Sequence, residues 1–321
     1  MGSSIPMASG LDQDMLPKTA SIERLVKSNL KKSTKFKIRQ SLICLVLGII
    51  FIGGATLTFI NSEIGHSYIV RNNAEKVSKT LTAKQVEKNE KVKTSYDAAK
   101  TKPVSAKNLY NDSKYPAYPI GRMSIPVVNI HNPIFKGFGD HLQNLSYGVS
   151  TAVADREMGA VNNYVLAGHY MSGYGPAILD NLHLTKTGDM VYVTNMKTIY
   201  AYRIEDIQLA LDPHQVSVED NVPGQRTITL ITCSDFNTAK YGYGGHRTVV
   251  SGTLTAAYKA TKANLVKYEL ADRNVSNNQS QPKSRVKTTA LQKLTFKQII
   301  IIFATLWLLA MGILFTIIWI R

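Results

Sequence analysis

Three residues of the chain have side chains suited to acyl transfer, and each stands where a predicted strand meets a loop. Cys233 ends the run TITLITC, His169 follows NYVLAG, and Arg247 opens RTVVSGTL. A cysteine attacks as its thiolate, which a nearby cation stabilises. An imidazole can take up a proton and return it to a leaving amine, and a guanidinium offers five fixed donors to a substrate carbonyl or a developing oxyanion. The three residue types together indicate a cysteine nucleophile with an acid/base partner.

Each of these residues also has a structural interpretation. A free cysteine most often packs as a small hydrophobe. The only other cysteine, Cys44, lies in an apolar stretch that is predicted to be in a membrane, so it cannot form a disulfide within an outer domain. Histidines are commonly structural or exposed, and His246 is a rival for the base, although it directly adjoins Arg247. All three residues lie at the ends of predicted strands. This favours a catalytic role over a structural one, because catalytic groups concentrate on loops held by a rigid scaffold.

The elements that position these residues are predicted to be strands. Between residues 108 and 257 the chain contains short runs that are β-branched or aromatic and are separated by Gly, Asn, Asp and Pro. The runs are RMSIPVV, NPIF, NYVLAG, MVYVTN, IYAYRIEDIQLA, TITLITC and RTVVSGTL. Helical patterns within this region are confined to short pieces near residues 141–147 and 176–183. Seven or eight short strands in this length predict a closed barrel or a sandwich.

Four ordered segments resemble the sortase family of cysteine transpeptidases. TLITC (229–233) is similar to the family signature T-L-x-T-C, LAGHY (166–170) to its histidine segment, and RTVVSGTL (247–254) to the strand that opens with its arginine. GDMVYV and IYAYRI fit the central strands between them. The resemblance implies an all-β fold, a closed eight-stranded barrel with short helices, here flanked by two transmembrane helices. LAGHY and TLITC look most like class A.

The resemblance also implies a reaction. Sortases of Gram-positive bacteria cut a Leu-Pro-x-Thr-Gly sorting signal between Thr and Gly and transfer the protein to an amine of a cell-wall precursor. Carried onto this sequence, Cys233 forms the thioacyl intermediate, His169 is the acid/base as an imidazolium beside an ionised thiol, and Arg247 binds substrate or the oxyanion. Thr232 and Tyr243 are predicted substrate contacts, although strict alternation places Thr232 on the strand face opposite Cys233.

The predicted partners are surface proteins with such a signal, the peptidoglycan precursor and the membrane, without nucleic acid, cofactor or metal. Three acids, Asp140, Asp155 and Glu157, fall where some class A members bind calcium, but scattered acids usually face water.

Two uncharged segments predict membrane attachment. Residues 41–60 and 299–320 contain 20 and 22 residues without a charge, enough for a helix to cross the hydrocarbon layer. Six basic residues and no acid in KSNLKKSTKFKIR precede the first segment, which predicts a cytoplasmic N-terminus and an extracellular catalytic domain. The predicted order is a basic tail (1–40), a span (41–60), a stalk (61–107), the barrel (108–257), a polar basic linker (258–298) and a second span (299–320).

The sequence leaves more than one function open. A C-terminal span is more typical of pilin-polymerising class C sortases, although residues 96–120 lack the Asp-Pro-aromatic lid motif of that class. A plain hydrolytic cysteine protease, a wall-crosslinking L,D-transpeptidase and a non-catalytic, membrane-tethered β-domain are further hypotheses. A labelled Leu-Pro-x-Thr-Gly peptide discriminates between them, because transfer to an amine, hydrolysis alone and no turnover are different outcomes.

Overall fold

The computed structural model describes residues 16–79, 81–171, 177–271 and 284–320. The chain divides into two compact units, one with residues 1–56 and 300–321 and the other with residues 57–299. The helices in the described residues are α1 (Leu16–Ile60), α2 (Glu63–Ser78), α3 (Ala83–Asn89), α4 (Ala106–Asp112), α5 (Thr238–Tyr241), α6 (Lys262–Lys267), α7 (Ala290–Lys293) and α8 (Phe296–Ile320).

The first unit is formed by parts of α1 and α8, which are both long and apolar enough to cross a membrane. Their large apolar side chains face outward, as in Leu42, which is 57% exposed, and Phe303, which is 56% exposed. The two helices contact each other through Trp307, whose Nε1 donates to the Gly48 carbonyl at 3.1 Å. α1 begins 25 residues before the predicted span, because residues 16–40 are rich in the good helix formers Leu, Lys and Arg and continue the same helix.

The second unit is a closed barrel of eight strands, which confirms the predicted fold class. The strands are β1 (Pro119–Ile125), β2 (Ile130–Phe135), β3 (Val149–Thr151), β4 (Asn163–Ala167), β5 (Met190–Thr194), β6 (Thr198–Leu211), β7 (Thr227–Cys233) and β8 (Arg247–Lys259). Their order around the barrel is β1-β2-β3-β4-β7-β8-β6-β5. The β2–β3 and β4–β7 pairs are parallel, and the others are antiparallel. Short 3₁₀ helices at Asn144–Ser146 and Leu182–Leu184 lie within or beside the predicted helical pieces.

The segment before the barrel packs against it, in contrast to the predicted stalk. Val70 of α2, Val86 of α3 and Leu109 of α4 are each at most 3% exposed and belong to the same apolar core as the strands. The sequence did not indicate this packing because each of these helices contributes only one or two buried apolar residues. Without a full amphipathic face, the helical period of 3.6 residues is not visible.

The segment after β8 is also fixed to the barrel along the part that the structure describes. Tyr268 and Leu270 pack with Ile199 in a small second cluster. Further along, the Arg285 guanidinium makes a bidentate ion pair with the Asp189 carboxylate, with one nitrogen–oxygen distance of 2.7 Å. The predicted linker is therefore partly an outer layer of the barrel.

Candidate active site

The end of β7 and the beginning of β8 place Cys233 directly beside Arg247. The two residues are Cα partners in the antiparallel β7–β8 ladder, and partners across a ladder share one face of the sheet. Both residues are partly exposed. The next residue continues the pairing, because the Ser234 amide donates to the His246 carbonyl at 3.2 Å.

His169 reaches the same edge from the other side of β7. β4 runs parallel to β7 with Ala167 paired to Ile231, and the Gly168 amide donates to the Ile231 carbonyl at 3.0 Å. Two residues after the Ala167–Ile231 pair, the same register leads to His169 and Cys233. Neighbouring strands lie about 4.8 Å apart, so the three predicted residues come together at one end of β4, β7 and β8.

Close packing holds the backbone that carries His169. A Cβ atom at Gly168 would lie 2.6 Å from Ile178 Cγ2 and 3.0 Å from Val149 Cγ1, so only glycine fits here. The His169 carbonyl accepts from the Leu179 amide at 3.3 Å. The Met171 amide donates to the Asp180 carboxylate. The histidine therefore follows a strand end that is locked against the segment 177–180.

Arg247 is oriented by the loop that follows Cys233. Its Nη1 donates to the carbonyls of Gly244 at 3.0 Å and His246 at 3.1 Å. These two bonds hold the guanidinium against the loop. The rival base His246 has its Nδ1 2.7 Å from the Tyr241 carbonyl, and because a carbonyl only accepts, Nδ1 carries the proton of that bond.

The free site favours a neutral thiol and a neutral imidazole. Burial raises the pKa of the Cys233 thiol above its ordinary value, while Arg247 lowers it and Asp235 raises it. His169 retains some exposed surface, yet burial lowers the pKa of its imidazole to about 4. The expected imidazolium beside an ionised thiol is therefore not the resting state, because desolvation disfavours both charged forms.

The two predicted substrate contacts lie in different surroundings. Thr232 shares the core-facing side of β7 with Ile228 and Leu230 and is 4% exposed. Among the described residues its Oγ1 has no hydrogen-bond partner. Tyr243 is 78% exposed in the loop between β7 and β8. Burial raises the pKa of its hydroxyl, and the negative charges of Asp235, Glu63 and Cys233 raise it further.

The sequence did not single out a group of rings beside the site. Tyr170 follows His169, Phe236 lies three residues after Cys233, and His183 lies on the 3₁₀ helix Leu182–Leu184. The ring centroids of His183 and Phe236 are 4.1 Å apart and the rings are parallel within 2°. The signal in the sequence was an aromatic residue shortly after each catalytic candidate, in LAGHY and TCSDF.

No group of three or more potential metal-ligating side chains is found among the residues that the structure describes.

Comparison with known proteins gives the same family for the barrel. A family model described as a sortase domain matches residues 123–255. Sortase A of Streptococcus agalactiae is 35% identical over 196 residues, which are 60% of this chain and 78% of that protein. Sortase A of Bacillus anthracis is 32% identical over 61% of this chain and 88% of its own length. Among solved structures, sortase A of Listeria monocytogenes is 31% identical over 47% of this chain and 96% of that chain, with a TM-score of 0.41.

These relatives are matched over more than three quarters of their own length at identities above 30%. The chain belongs to the sortase family of cysteine transpeptidases, and the curated relatives reported above are both named sortase A, which supports class A.

Proposed function

We propose that the protein cleaves a Leu-Pro-x-Thr-Gly sorting signal between Thr and Gly and transfers the new carboxyl end to an amine of a cell-wall precursor. Cys233 is the nucleophile, His169 the acid/base and Arg247 the group that binds the substrate carbonyl or its oxyanion. The observation that carries the proposal is the register of β4, β7 and β8, which brings these three residues to one edge of the barrel.

The first half of the reaction forms a thioester. Because the free site is neutral, the thiol proton of Cys233 passes to His169 as Sγ attacks the Thr carbonyl carbon. The carbonyl oxygen becomes an oxyanion beside the Arg247 guanidinium, which is preorganised by its bonds to the loop. The C–N bond to Gly then breaks, and His169 gives its proton to the leaving amine.

The second half reverses the proton movements. The acceptor amine attacks the thioester carbon and loses a proton to His169, an amide bond forms, and the Cys233 sulfur leaves and takes the proton back. Water in place of the amine gives hydrolysis. The balance between the two reactions depends on how well the enzyme holds its acceptor.

A loop between β6 and β7 supports the proposed substrate groove. Asn163 of β4 holds this loop in place. Its side-chain Nδ2 donates to the Val218 carbonyl at 3.0 Å, and its backbone amide donates to the Asn221 side-chain oxygen at 2.8 Å. Val216 and Val222 of this loop are 65% and 45% exposed. These apolar side chains are suited to the Leu-Pro part of the signal, while Tyr243 and Thr232 stay predicted contacts.

The proposed topology puts the barrel outside the cell. The excess of Lys and Arg before the first span favours a cytoplasmic N-terminus, and the two long apolar helices are consistent with membrane anchoring. A membrane-impermeant maleimide tests this on intact cells. In a Cys44→Ala background the reagent is expected to label Cys233 from outside, and labelling only after lysis would contradict the proposed orientation.

The experiment that tests the proposed activity uses a labelled Leu-Pro-x-Thr-Gly peptide with and without a primary amine. We expect transfer in the presence of the amine and slow hydrolysis in its absence. Peptides with the Thr–Gly bond replaced or with a scrambled order are the controls and are expected to remain intact. Cleavage of the scrambled peptide at the same rate would contradict the proposed specificity.

One observation favours a second candidate, the class C reaction in which the acceptor is a lysine of another pilin subunit. The chain has a second apolar helix at its C-terminal end, Phe296–Ile320, which is more typical of that class. Formation of covalent polymers from a pilin substrate, in preference to transfer to a wall-type amine, would support this candidate over the first.

A further inference from the structure

The rings of Tyr170, His183 and Phe236 form a contact that joins the two catalytic segments, and it is called the ring bridge below. Besides the parallel His183–Phe236 stack, the ring centroids of Tyr170 and Phe236 are 6.5 Å apart at 68°, and those of Tyr170 and His183 are 6.3 Å apart at 69°. Edge-to-face packing with ring centroids about 4.5–7 Å apart is a favoured geometry for aromatic pairs. Each ring thus contacts both of the others.

The ring bridge lies just beyond the point where the β4–β7 ladder ends. The hydrogen bond from the Gly168 amide to the Ile231 carbonyl joins the two strands just before His169 and Cys233 in the sequence. After this bond, the segment that follows β4 continues through His169 to Tyr170. The segment that follows β7 continues through Cys233 into a short 3₁₀ helix, Asp235–Asn237. The rings of Tyr170 and Phe236 join the two segments again on the far side of the reacting groups.

A third segment makes this connection stiffer. His183 lies on the 3₁₀ helix Leu182–Leu184, and Leu182 at its start is fully buried in the main core. Phe236 also contacts Tyr241 of α5, with centroids 5.3 Å apart. The loop that follows Cys233 is therefore tied through Phe236 to a rigid part of the barrel.

We propose that Phe236 is a positioning residue, which through the ring bridge holds the Cys233 thiol beside the His169 imidazole and limits the access of water to both. The inference rests on the catalytic roles assigned to Cys233 and His169 above. Phe236 itself touches no reacting atom in this mechanism. A misplacement of about 1 Å in a catalytic group can reduce the rate by about 10²-fold, so a contact that fixes their separation has a large effect on the rate of acylation.

The experiment compares Phe236→Leu, which removes the ring but keeps an apolar side chain, with Phe236→Tyr, which keeps the ring. We expect Phe236→Leu to lower kcat for peptide cleavage by about 10- to 100-fold with little change in KM, and Phe236→Tyr to restore most of the rate. The pH dependence of thiol alkylation supplies a second readout. With more water at the site, the pKa of Cys233 is expected to fall and that of His169 to rise, both toward their ordinary values.

A matched control removes a ring from a stack elsewhere in the barrel. Tyr258 and Tyr268 stack with centroids 5.1 Å apart, and Tyr258 lies 11 residues after Arg247 on β8. Tyr258→Leu is expected to leave kcat and the thiol pKa unchanged. His183→Leu and His183→Phe repeat the test from the other side of the stack, so the answer does not depend on whether Phe236→Leu folds.

The outcomes separate this inference from the proposed function. If Phe236→Leu and His183→Leu keep the wild-type kcat and thiol pKa, or if Phe236→Tyr is as impaired as Phe236→Leu, the positioning role is wrong although Cys233 is still the nucleophile. If Cys233→Ala keeps transfer activity, the proposed function fails first, whatever Phe236 does.

Discussion

The barrel and the pair of long helices differ in how their polar side chains are hydrogen-bonded and buried. In α8 the hydroxyls of Thr305 and Thr316 donate to carbonyls four residues earlier, at 2.8 and 2.7 Å, so the helix satisfies them locally. In the barrel, burial shifts the pKa of Cys233 and His169, and Thr232 is buried with an unpartnered hydroxyl among the described residues. Ionisable groups with perturbed pKa values cluster at functional sites, which favours the barrel as the place of the proposed chemistry.

The two cysteines of the chain show the same difference between the two regions in their surroundings. Cys44 lies within the helix α1, and Cys233 lies at the end of β7 opposite Arg247. The first is surrounded by the apolar residues of a candidate membrane span. Burial raises the pKa of the Cys233 thiol, and the neighbouring Arg247 offsets part of that rise by lowering it.

Replacing each cysteine separately is expected to produce the largest difference between the regions. Cys233→Ala removes the nucleophile and should abolish both transfer and hydrolysis of the labelled peptide. Cys44→Ala should leave both rates unchanged. Residual turnover by Cys233→Ala, above a no-enzyme blank, would contradict the proposed mechanism.

Arg247→Lys is expected to have the next largest effect. One nitrogen of the guanidinium is bonded to the carbonyls of Gly244 and His246, and an ammonium cannot hold the loop and a substrate oxygen in the same fixed fork. We expect kcat/KM to fall about 10²-fold, measured by peptide cleavage at pH 7. Arg203 on β6 provides a control, because Arg203→Lys changes an arginine away from the site and should be silent.

The pH dependence of stability tests whether His169 is buried in its neutral form. Its pKa is about 4 in the folded protein and about 6.5 when unfolded, so the unfolded state binds more protons between these values. The stability supplied by this group is present above pH 6.5 and is lost as the pH falls toward 4, by about 1–3 kcal/mol.

Denaturant unfolding at pH 7.5 and pH 5 measures this loss, and the same experiment on His169→Gln is the control. A smaller decrease in stability is expected for the variant, because it has no imidazole to protonate. An equal decrease in both proteins would show that His169 is not the responsible group.

The smallest effect is expected from a change in the helix pair. A Cβ atom at Gly48 would lie 2.7 Å from Met311 Sδ, the flexible end of a side chain, and 3.4 Å from Trp307 Nε1. Gly48→Val should therefore weaken the contact between α1 and α8 by about 1 kcal/mol or less.

Both tryptophans of the chain, Trp307 and Trp319, belong to α8, so tryptophan emission in detergent reports on this helix. The emission of Gly48→Val is expected to change while the peptide transfer rate stays at the wild-type value. A loss of transfer comparable to that of Arg247→Lys would contradict the separation of roles between the two regions.

How far the sequence predicted each region follows from the range of the interactions involved. The long helices are determined by local composition, so residues 41–60 and 299–320 could be recognised directly. Seven of the eight strands were also recognisable, and the exception, β3, has only three residues, Val149–Thr151. The packing of α2, α3 and α4 onto the barrel was not recognisable, because single buried residues such as Val86 leave no periodic pattern.

The candidate site shows the same limit. The identities of Cys233, His169 and Arg247 came from motifs, but their meeting depends on the parallel pairing of β4 with β7, whose partners are 64 positions apart, as in Ala167 and Ile231. The protonation state could not be predicted either, because it is set by burial. The ring bridge combines residues from three separate segments, and no local pattern links His183 to Phe236.

Whether Cys233 carries the acyl group can be observed by mass spectrometry of the enzyme quenched in acid during turnover of the labelled peptide. We expect one adduct of the Leu-Pro-x-Thr acyl mass on the proteolytic fragment that contains Cys233, and hydroxylamine should remove it, as it does a thioester. An adduct on another residue, or steady turnover without any adduct on Cys233, would contradict the proposed mechanism.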